Sequence, residues 1–428
     1  MTAAVLFGSL AVLFVLGTPI GFALGLASLA AIYYAGGVTP ILMVQKLFAA
    51  NDSFPLMAIP FFVLAGGIMT RGGISRRLVN LANLLVGWLP GGLAVVAVLG
   101  SVFFGAISGS PVATVAAVGG IVIPEMVKTG YSRQFCGAIQ AAAGPLGALI
   151  PPSIGLIIYG VSANQSISDL FVATILPGLL MGFALMIVGG FLAWRKGFGL
   201  SGRNGPKIPA WRTVGESLFA VLMPIIIIGG IYGGICTPTE AAVLSVAYGL
   251  LVGALIYREL RFGMLYGILV DAGIGTALIM IIIDFSAVFS SFLISNQIPQ
   301  LVAATLLGLT SNPFAIMLSI NVLLLAIGTF MDMAPAVVIL VPILVPLGEK
   351  LGYHPIHFGI IVCTNLLIGL VTPPVGLSLF MASRISGAKI DAIIGELWPL
   401  LAAMLAVLAI VNVWPGLSLF LLSLAGSR

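Results

Sequence analysis

The sequence predicts an all-α polytopic membrane protein built from two inverted repeats, with re-entrant hairpins and broken helices. Only 7% of its 428 residues are charged while 61% are hydrophobic, a balance that suits helices in lipid and not a water-soluble globule. Several apolar stretches, among them 170–193 and 398–422, reach the roughly 20 residues that a helix needs to cross the hydrocarbon core. Landmarks shared by the two halves of the chain indicate the repeat.

The basic residues predict the orientation of the chain in the membrane. Fourteen of the 17 Lys and Arg fall in five short clusters, and the positive-inside rule places those loops in the cytoplasm. Two others, Lys46 and Lys350, lie in connections predicted to face outward. The five clusters are Arg71, Arg76 and Arg77; Lys128 and Arg133; Arg195, Lys196, Arg203, Lys207 and Arg212; Arg258 and Arg261; Arg384 and Lys389.

The repeat is visible in the spacing of glycines and prolines. Gly130 lies 21 residues before Pro151, and Gly352 lies 21 residues before Pro373, a common shift of 222 (352 minus 130, and 373 minus 151). Spans traced from the basic loops start outside in the first half and inside in the second. The repeats are therefore inverted, an arrangement that recurs among secondary carriers.

Each half is expected to contain scaffold spans, a short interfacial arm, a hairpin, a broken helix and a closing span. The first repeat covers 1–194, with scaffold spans 1–70, arm 74–89, hairpin 91–128, broken helix 132–160 and span 170–194. A cytoplasmic linker follows at 195–213. The second repeat covers 214–428, with scaffold spans 214–295, arm 297–309, hairpin 313–349, broken helix 355–384 and span 391–425.

Two polar segments interrupt short apolar stretches and predict the hairpin tips. They are Ser108–Thr114 (SGSPVAT) and Gly328–Pro335 (GTFMDMAP). Since both ends of each hairpin lie on one side of the membrane, the tip must stop at membrane depth, where irregular backbone survives only in protein or beside a wet cavity. The tips offer oxygen ligands from Ser108, Ser110 and Thr114 in one half, and from Thr329 and Asp332 in the other.

Tandem prolines predict a break in the helix that follows each hairpin. Proline has no amide hydrogen and its ring disrupts the preceding turn, so carbonyls at 147–150 and 369–372 lose helical bonds. Carbonyl oxygens freed in a low-dielectric site are suitable ligands for a small hard cation. We therefore expect cation sites where each hairpin tip meets a broken helix.

Several polar side chains in apolar surroundings have alternative interpretations. Asp332 is costly at membrane depth unless it is paired or solvated, and it serves either an ion site or as the cap of the next helix. The first-tip serines are likewise ligands, caps or small packing residues. Asp284 has a transport role or bonds a neighbouring helix, and Asn365 offers an oxygen to the second cation site or makes a helix–helix hydrogen bond.

Other functional classes lack their sequence signals. The chain contains no Walker motif, so ATP is not expected to be the direct energy source, and no hydrolase or metalloprotease motif, so it is not expected to be an enzyme. His354 and His357 have a spacing open to metal ligation, but Pro355 separates them. Three dispersed cysteines suggest neither a disulfide framework nor a metal cluster.

Four segments together resemble the large membrane (M) subunit of tripartite ATP-independent periplasmic (TRAP) transporters. They are FPLMAIPFFVLAGGIM (54–69), SGSPVATVAAVGGIVIPEMVKTGY (108–131), GALIPPSIGLIIYG (147–160), and GTFMDMAP with TPPVG in the second half. The resemblance implies an elevator-type fold of the ion transporter superfamily in the bacterial inner membrane. It also implies sodium coupling, a small membrane subunit of the Q type, and a periplasmic substrate-binding protein of the P type.

The resemblance also assigns residues to sites and a class to the solute. One sodium site would be lined by Ser108, Gly109, Ser110, Gly147 and Pro151. The other would be lined by Thr329, Asp332, Gly369 and Thr372. Substrate would bind at Ser108, Ser110, Pro111, Thr114, Ser153 and Asn365. The solute is expected to be a small organic anion such as sialic acid or a C4-dicarboxylate, and Pro111 stands where the family often has a second serine.

Two alternatives to a tripartite carrier stay open at this point. One is a stand-alone sodium-coupled carboxylate or anion carrier of the same architecture, which needs no soluble partner. The other is a passive channel, whose flux would persist without a sodium gradient and would not saturate.

Overall fold

The computed structural model describes residues 2–36, 40–198, 209–309 and 312–424, which form helices and turns with no β-strand among them. The helices of the first half are α1 (Thr2–Val15), α2 (Ile20–Ala35), α3 (Pro40–Asn51), α4 (Ala58–Arg71), α5 (Ile74–Val86), α6 (Gly92–Ser108), α7 (Pro111–Lys128), α8 (Arg133–Ala143), α9 (Leu146–Leu149), α10 (Ile154–Ser162) and α11 (Ile167–Arg195). Those of the second half are α12 (Ala210–Tyr232), α13 (Pro238–Leu251), α14 (Phe262–Ser295), α15 (Ile298–Leu309), α16 (Pro313–Phe330), α17 (Met333–Lys350), α18 (Pro355–Gly369), α19 (Leu377–Ser386), α20 (Ile390–Val413) and α21 (Gly416–Leu424). Most of the predicted linker, residues 199–208, lies outside the described residues.

Apolar helices of membrane-spanning length dominate this chain. Among the described residues, nine helices are long and apolar enough to cross a bilayer. A tenth candidate span consists of α8 and α9 followed by α10, with a bend of 45° at the break between Leu149 and Ile154. The prediction of a polytopic all-α membrane protein is confirmed.

The helix boundaries repeat with the shift seen in the sequence. α7 and α17 both contain 18 residues and begin at 111 and 333, a difference of 222, and α8 and α18 begin at 133 and 355, again a difference of 222. One element departs from the repeat. α14 runs unbroken for 34 residues, whereas its counterpart in the first half is divided into α3, a 3₁₀ turn at Phe54–Met57 and α4.

A proline accounts for this difference between the halves. The 3₁₀ turn carries Pro55 in its first turn, after an extended Ser53, and a proline cannot donate the hydrogen bond that would continue α3. The described sequence of α14 contains no proline, so nothing interrupts its ladder of hydrogen bonds.

Helices of each half pack on helices of the other half, both in the scaffold and around the hairpins. In the scaffold, α4 packs on α13 and α14 packs on α2. Around the hairpins, α7 lies against α19 while α17 lies against α10. The second arm of each hairpin therefore packs on the broken helix of the opposite half, and neither half forms a closed unit by itself.

α5, the predicted interfacial arm, is held against the connection between α13 and α14 by a cluster of charged and aromatic side chains. Glu259 accepts hydrogen bonds from Arg76 at 2.7 Å and from Arg77 at 2.8 Å. The guanidinium of Arg77 also lies 3.6 Å from the ring centroid of Tyr257, and the side chain of Arg77 is only 12% exposed. Since a cation over an aromatic ring is stabilised further when it is desolvated, this cluster holds α5 in place.

Replacement of Glu259 by glutamine is expected to destabilise the protein by about 2 kcal/mol, because it removes the charge that two arginines share and leaves Arg77 largely buried. The melting temperature of the detergent-solubilised protein measures this change. Glu125→Gln is the matched control, since Glu125 pairs with Lys128 at 3.7 Å and both side chains are exposed, which predicts less than about 0.5 kcal/mol. Equal melting temperatures for the two variants would contradict the proposed role of Glu259.

Candidate functional site

The first hairpin turns at two residues between α6 and α7. Gly109 has φ +62°, a conformation that favours glycine, and Ser110 is extended and caps α7 by accepting a hydrogen bond from the backbone N–H of Ala113 at 3.4 Å. A Cβ at Gly109 would lie 2.9 Å from the carbonyl oxygen of Pro152. The turn is therefore pressed against the break in the helix that follows it.

Three neutral oxygen atoms gather beside this turn. The hydroxyls of Ser108 and Thr114 lie 3.2 Å apart, and the Thr114 hydroxyl donates to the carbonyl oxygen of Ser110 at 2.9 Å. Ser108 and Thr114 are 3% and 0% exposed. Gly147 of α9 borders the group so closely that a Cβ there would lie 2.0 Å from the Thr114 hydroxyl oxygen. The sequence-predicted residues Ser108, Ser110, Thr114 and Gly147 are thus neighbours.

The broken helix opposite the first tip interrupts its backbone ladder at the tandem prolines. α9 ends at Leu149, Ile150 is extended, and the Pro151–Pro152 bond is cis. The N–H that Pro151 lacks is the one that would bond the carbonyl of Gly147 in a continuous helix. The chain resumes at Ser153, which is fully buried and caps α10 by accepting from the backbone N–H of Leu156 at 3.4 Å.

The second hairpin turns at Met331 and Asp332, between α16 and α17. Asp332 is the N-cap of α17, and its carboxylate accepts a hydrogen bond from the backbone N–H of Met333 at 2.7 Å. The capping interpretation of Asp332 therefore holds. That bond uses one carboxylate oxygen, and the side chain remains partly exposed.

The second tip is also joined to its broken helix, where the Pro373–Pro374 bond is cis. The carbonyl oxygen of Thr329 accepts from the backbone N–H of Gly376 at 3.0 Å, across the break. The two threonine hydroxyls donate to backbone carbonyl oxygens of their own segments. Thr329 donates to the carbonyl oxygen of Ala326 at 2.7 Å, and Thr372 donates to that of Ile368 at 2.9 Å. Sequence reasoning gave Gly376 no role, although a glycine two residues after the tandem prolines was a usable signal; its φ is +63°.

In each half, a glycine of the hairpin lies in close contact with a glycine of the broken helix. A Cβ at Gly105 would lie 2.8 Å from the Cα of Gly147, and a Cβ at Gly369 would lie 2.6 Å from the Cα of Gly328. The same pair of positions therefore makes the same backbone contact in both halves. Side chains at these glycines would separate each tip from its break.

The first broken helix and the second hairpin contact one another. A Cβ at Gly155, in the first turn of α10, would lie 2.2 Å from the methyl carbon of Met333, the first residue of α17. The N-termini of α10 and α17 therefore meet, and each carries a partial positive charge from its helix dipole. This arrangement can hold an anion between groups that also suit cations.

Asn365, which is fully buried, belongs to a hydrogen-bonded group of three asparagines. Its amide donates to Asn321 at 2.5 Å, and the amide of Asn321 donates to Asn412 at 3.0 Å. The helix–helix alternative for Asn365 is thus observed, linking α16, α18 and α20. Its own side-chain oxygen is buried without a partner among the described residues. Sequence reasoning missed Asn321 and Asn412, although their polar amides within apolar stretches were a usable signal.

Two other polar candidates lie apart from the tips. Asp284 lies near Asn51 of α3, and its Oδ1 is buried without a hydrogen-bond partner among the described residues. His354 caps α18 by accepting from the backbone N–H of Ile356 at 3.3 Å. Within the residues that the structure describes, no group of three or more His, Cys, Asp or Glu side chains could hold a metal.

The sequence matches one family over nearly its whole length. The model of the tripartite ATP-independent periplasmic transporter family, DctM component, aligns with residues 7–417. The chain belongs to this family. The predicted resemblance to TRAP large membrane subunits is therefore confirmed, and with it a multi-pass location in the bacterial inner membrane.

Individual TRAP permeases are similar over most of the chain. The isethionate TRAP transporter permease protein DctMQ of Oleidesulfovibrio alaskensis is 47% identical over 97% of this chain, which spans only 66% of that protein. The C4-dicarboxylate TRAP transporter large permease protein DctM of Pseudomonas aeruginosa is 41% identical, with 88% of each chain covered. The sialic acid TRAP transporter large permease protein SiaM of Vibrio cholerae is 36% identical, with 97% of each covered.

A solved structure shares the fold. The YdaH transporter of Alcanivorax borkumensis, described as having an unusual topology, superposes with a TM-score of 0.63 over 87% of both chains, at 17% sequence identity. At this identity the likeness extends to the fold alone.

Proposed function

We propose that this TRAP large permease subunit imports a small organic anion together with sodium, by an elevator-type movement. A periplasmic binding protein would deliver the solute, and a small membrane subunit would accompany this chain. The names of the similar permeases support a solute of the C4-dicarboxylate, sialic acid or sulfonate class. The sites described above support the coupling to a cation.

The observation that carries this proposal is the oxygen cluster at the first tip. Its three oxygens are neutral and close together, Ser108 and Thr114 are buried, and Pro151 frees the Gly147 carbonyl beside them. Sodium is a hard cation that takes such hydroxyl and carbonyl ligands at interrupted helices. In our proposal Gly109 and Ser110 complete this first sodium site.

The second sodium site is proposed at the equivalent place in the other half. Asp332 supplies the carboxylate that offsets the charge of the ion, and Gly369, Thr329 and Thr372 supply oxygens from the tip and the break. The solute then binds between the two tips. The N-termini of α10 and α17 meet there, and in our proposal Ser153 and Thr114, which are fully buried in this structure, contribute from the first half.

The way the halves interlock supports the proposed elevator movement. Both hairpins pack on broken helices of the opposite half, and the hydroxyl of Tyr159 donates to the carbonyl oxygen of Pro355 at 3.0 Å across them. Such a group moves most readily as one body. The scaffold helices α14, which packs on α17, and α4, which packs on α6, form the surface against which it would slide.

Reconstitution tests the proposed function. Proteoliposomes that contain this chain with a small membrane subunit and a binding protein are expected to accumulate succinate, N-acetylneuraminate or isethionate only under an inward sodium gradient. Full uptake by this chain alone would favour the stand-alone carrier. Flux that neither saturates nor requires sodium would favour the passive channel and contradict the proposal.

A further inference from the structure

A cavity of about 500 Å³ lies apart from the tips, between the scaffold and the hairpins with their broken helices. The hairpins and broken helices together are called the hairpin group below. α3 and α14 border it on one side, and α10 and α17 border it on the other. Its volume is within the range of about 300–1,000 Å³ that is usual for small-molecule pockets. The residues on α17 that line it, Val338 and Pro342, follow Asp332 by 6 and 10 residues, which is roughly 9–15 Å along a helix. The cavity is therefore distinct from the proposed tip sites.

The cavity lies toward the outer side of the membrane. It is bordered by Ser162 at the last turn of α10 and by Ser295 at the last turn of α14. The connections that follow both helices are the ones whose lack of basic residues predicts an outward-facing position. An incoming solute would meet this cavity before it reached the tips.

The polar lining of the cavity has unused hydrogen-bonding capacity. Ser291 and Ser295 are four residues apart on one face of α14, Ser290 lies next to Ser291, and Ser162 lines the cavity from α10. Other serines in the apolar helices, such as Ser28 and Ser245, donate to the carbonyl four residues earlier. In the described part of the chain, the four cavity serines make no such hydrogen bond, so their hydroxyls are open to a ligand.

One positive charge accompanies these hydroxyls. Lys46 of α3 lines the cavity, and none of the ion pairs among the described residues includes it. It is one of only two lysines in connections predicted to face outward, against the usual bias of basic residues to the cytoplasm. A lysine at the wall of a partly apolar cavity attracts anions, because low-dielectric walls focus its field.

We propose that this outer cavity is a transient binding site for the anionic head of the incoming solute, with Lys46 supplying the charge and the serines on α14 supplying hydrogen bonds. The inference rests on the proposed function, since it assigns the cavity to the same organic anion. Apolar side chains such as Ile283 and Val338 would cover the remainder of the solute. Because the cavity is bordered by both scaffold and hairpin group, it changes shape whenever they move relative to one another.

The electrostatic part of this proposal is tested without any transport. Ser291→Cys, in a Cys236→Ser background, places a single accessible thiol in the cavity, since Cys136 and Cys363 are buried. It is labelled from outside with an anionic reagent, 2-sulfonatoethyl methanethiosulfonate, or with the cationic 2-(trimethylammonio)ethyl reagent. A unit charge roughly 6–8 Å away in water changes each rate about threefold in opposite directions, so Lys46→Gln is expected to lower the ratio of anionic to cationic rates about tenfold.

Lys350→Gln is the matched control, because Lys350 also faces outward but does not line the cavity; this variant should leave the ratio unchanged. Lys46→Arg should retain the ratio of the parent, which excludes a packing defect as the cause. An unchanged ratio in Lys46→Gln would overturn the proposal. An equal fall in Lys350→Gln, or a failure of the external reagents to reach Ser291→Cys, would overturn it as well.

Uptake kinetics test the role of the cavity in transport. In reconstituted tripartite systems, Lys46→Gln is expected to raise KM for the solute about three- to tenfold, with the maximal rate and the sodium requirement within twofold of the parent. An unchanged KM would sink this inference and leave the proposed function intact. A parent protein with no sodium-dependent uptake would instead refute the proposed function, while the labelling ratios would still decide whether the cavity attracts anions.

Discussion

Replacement of Gly147 by alanine is expected to reduce sodium-activated uptake by at least about 100-fold, since displacements of about 1 Å in a binding geometry have effects of that size. The new Cβ would lie 2.0 Å from the hydroxyl oxygen of Thr114 and 2.9 Å from the carbonyl oxygen of Ser110. Both oxygens belong to the proposed first sodium site, so the methyl group must push the tip away from the break. Initial rates of uptake by proteoliposomes, measured against sodium concentration, give the result.

Gly120→Ala provides the matched control for this variant. Gly120 lies on α7, the second arm of the same hairpin, and no atom lies within 4 Å of the position that its Cβ would occupy. Alanine also favours a helix over glycine, so uptake should remain within about twofold of the parent. Full activity of Gly147→Ala at equal abundance in the membrane would show that the contact between tip and break does not form a cation site.

Replacement of Asp332 by asparagine is expected to raise the sodium concentration for half-maximal uptake at least about tenfold. The substitution keeps the volume of the side chain but removes a charge that would offset the ion, and local charges of this kind dominate the energetics of ion sites. The amide oxygen of asparagine can still accept from the backbone N–H of Met333, so capping and folding should be retained. Sodium titrations of initial uptake rate measure the shift.

Asp169→Asn separates this effect from a general loss of negative charge. Asp169 lies in the first turn of α11, at the end predicted to face outward, and its replacement should leave sodium activation unchanged. The melting temperature of each variant, measured in detergent, reports whether folding is preserved. If Asp332→Asn retained the sodium activation of the parent, Asp332 would have only its observed capping role.

The hairpin tips and helix breaks could be located from the sequence because local chemistry determines them. Tandem prolines remove two consecutive donors wherever they occur in a helix, and α9 and α18 indeed end just before Pro151 and Pro373. The inverted repeat added a second, independent indication of the same positions. The alternatives for Asp332 could not be separated in this way, because a capping carboxylate and an ion ligand require the same residue at a helix start.

Contacts between distant segments could not be predicted from the same patterns. An apolar helix shows which residues avoid water, but in lipid nearly all of its faces do, so the sequence of α7 does not reveal that α19 is its neighbour. The hydrogen bond between Asn365 and Asn321 and the ion pair between Glu259 and Arg77 depend on contacts of this kind between distant segments. The outer cavity likewise requires four helices from both halves to be in place.

Because helices of one half pack on helices of the other, these contacts can form only after both helices have been synthesised. The tip of the first hairpin can be covered by α8 and α9, which follow it directly, so its irregular backbone need not face lipid. The partner of α7 is complete only at Ser386, 258 residues after α7 ends at Lys128 (386 minus 128). At ribosomal speeds of about 5–20 residues per second this is a delay of tens of seconds. Docking of the two halves is therefore a late event, after the ribosome has delivered most of both repeats to the bilayer.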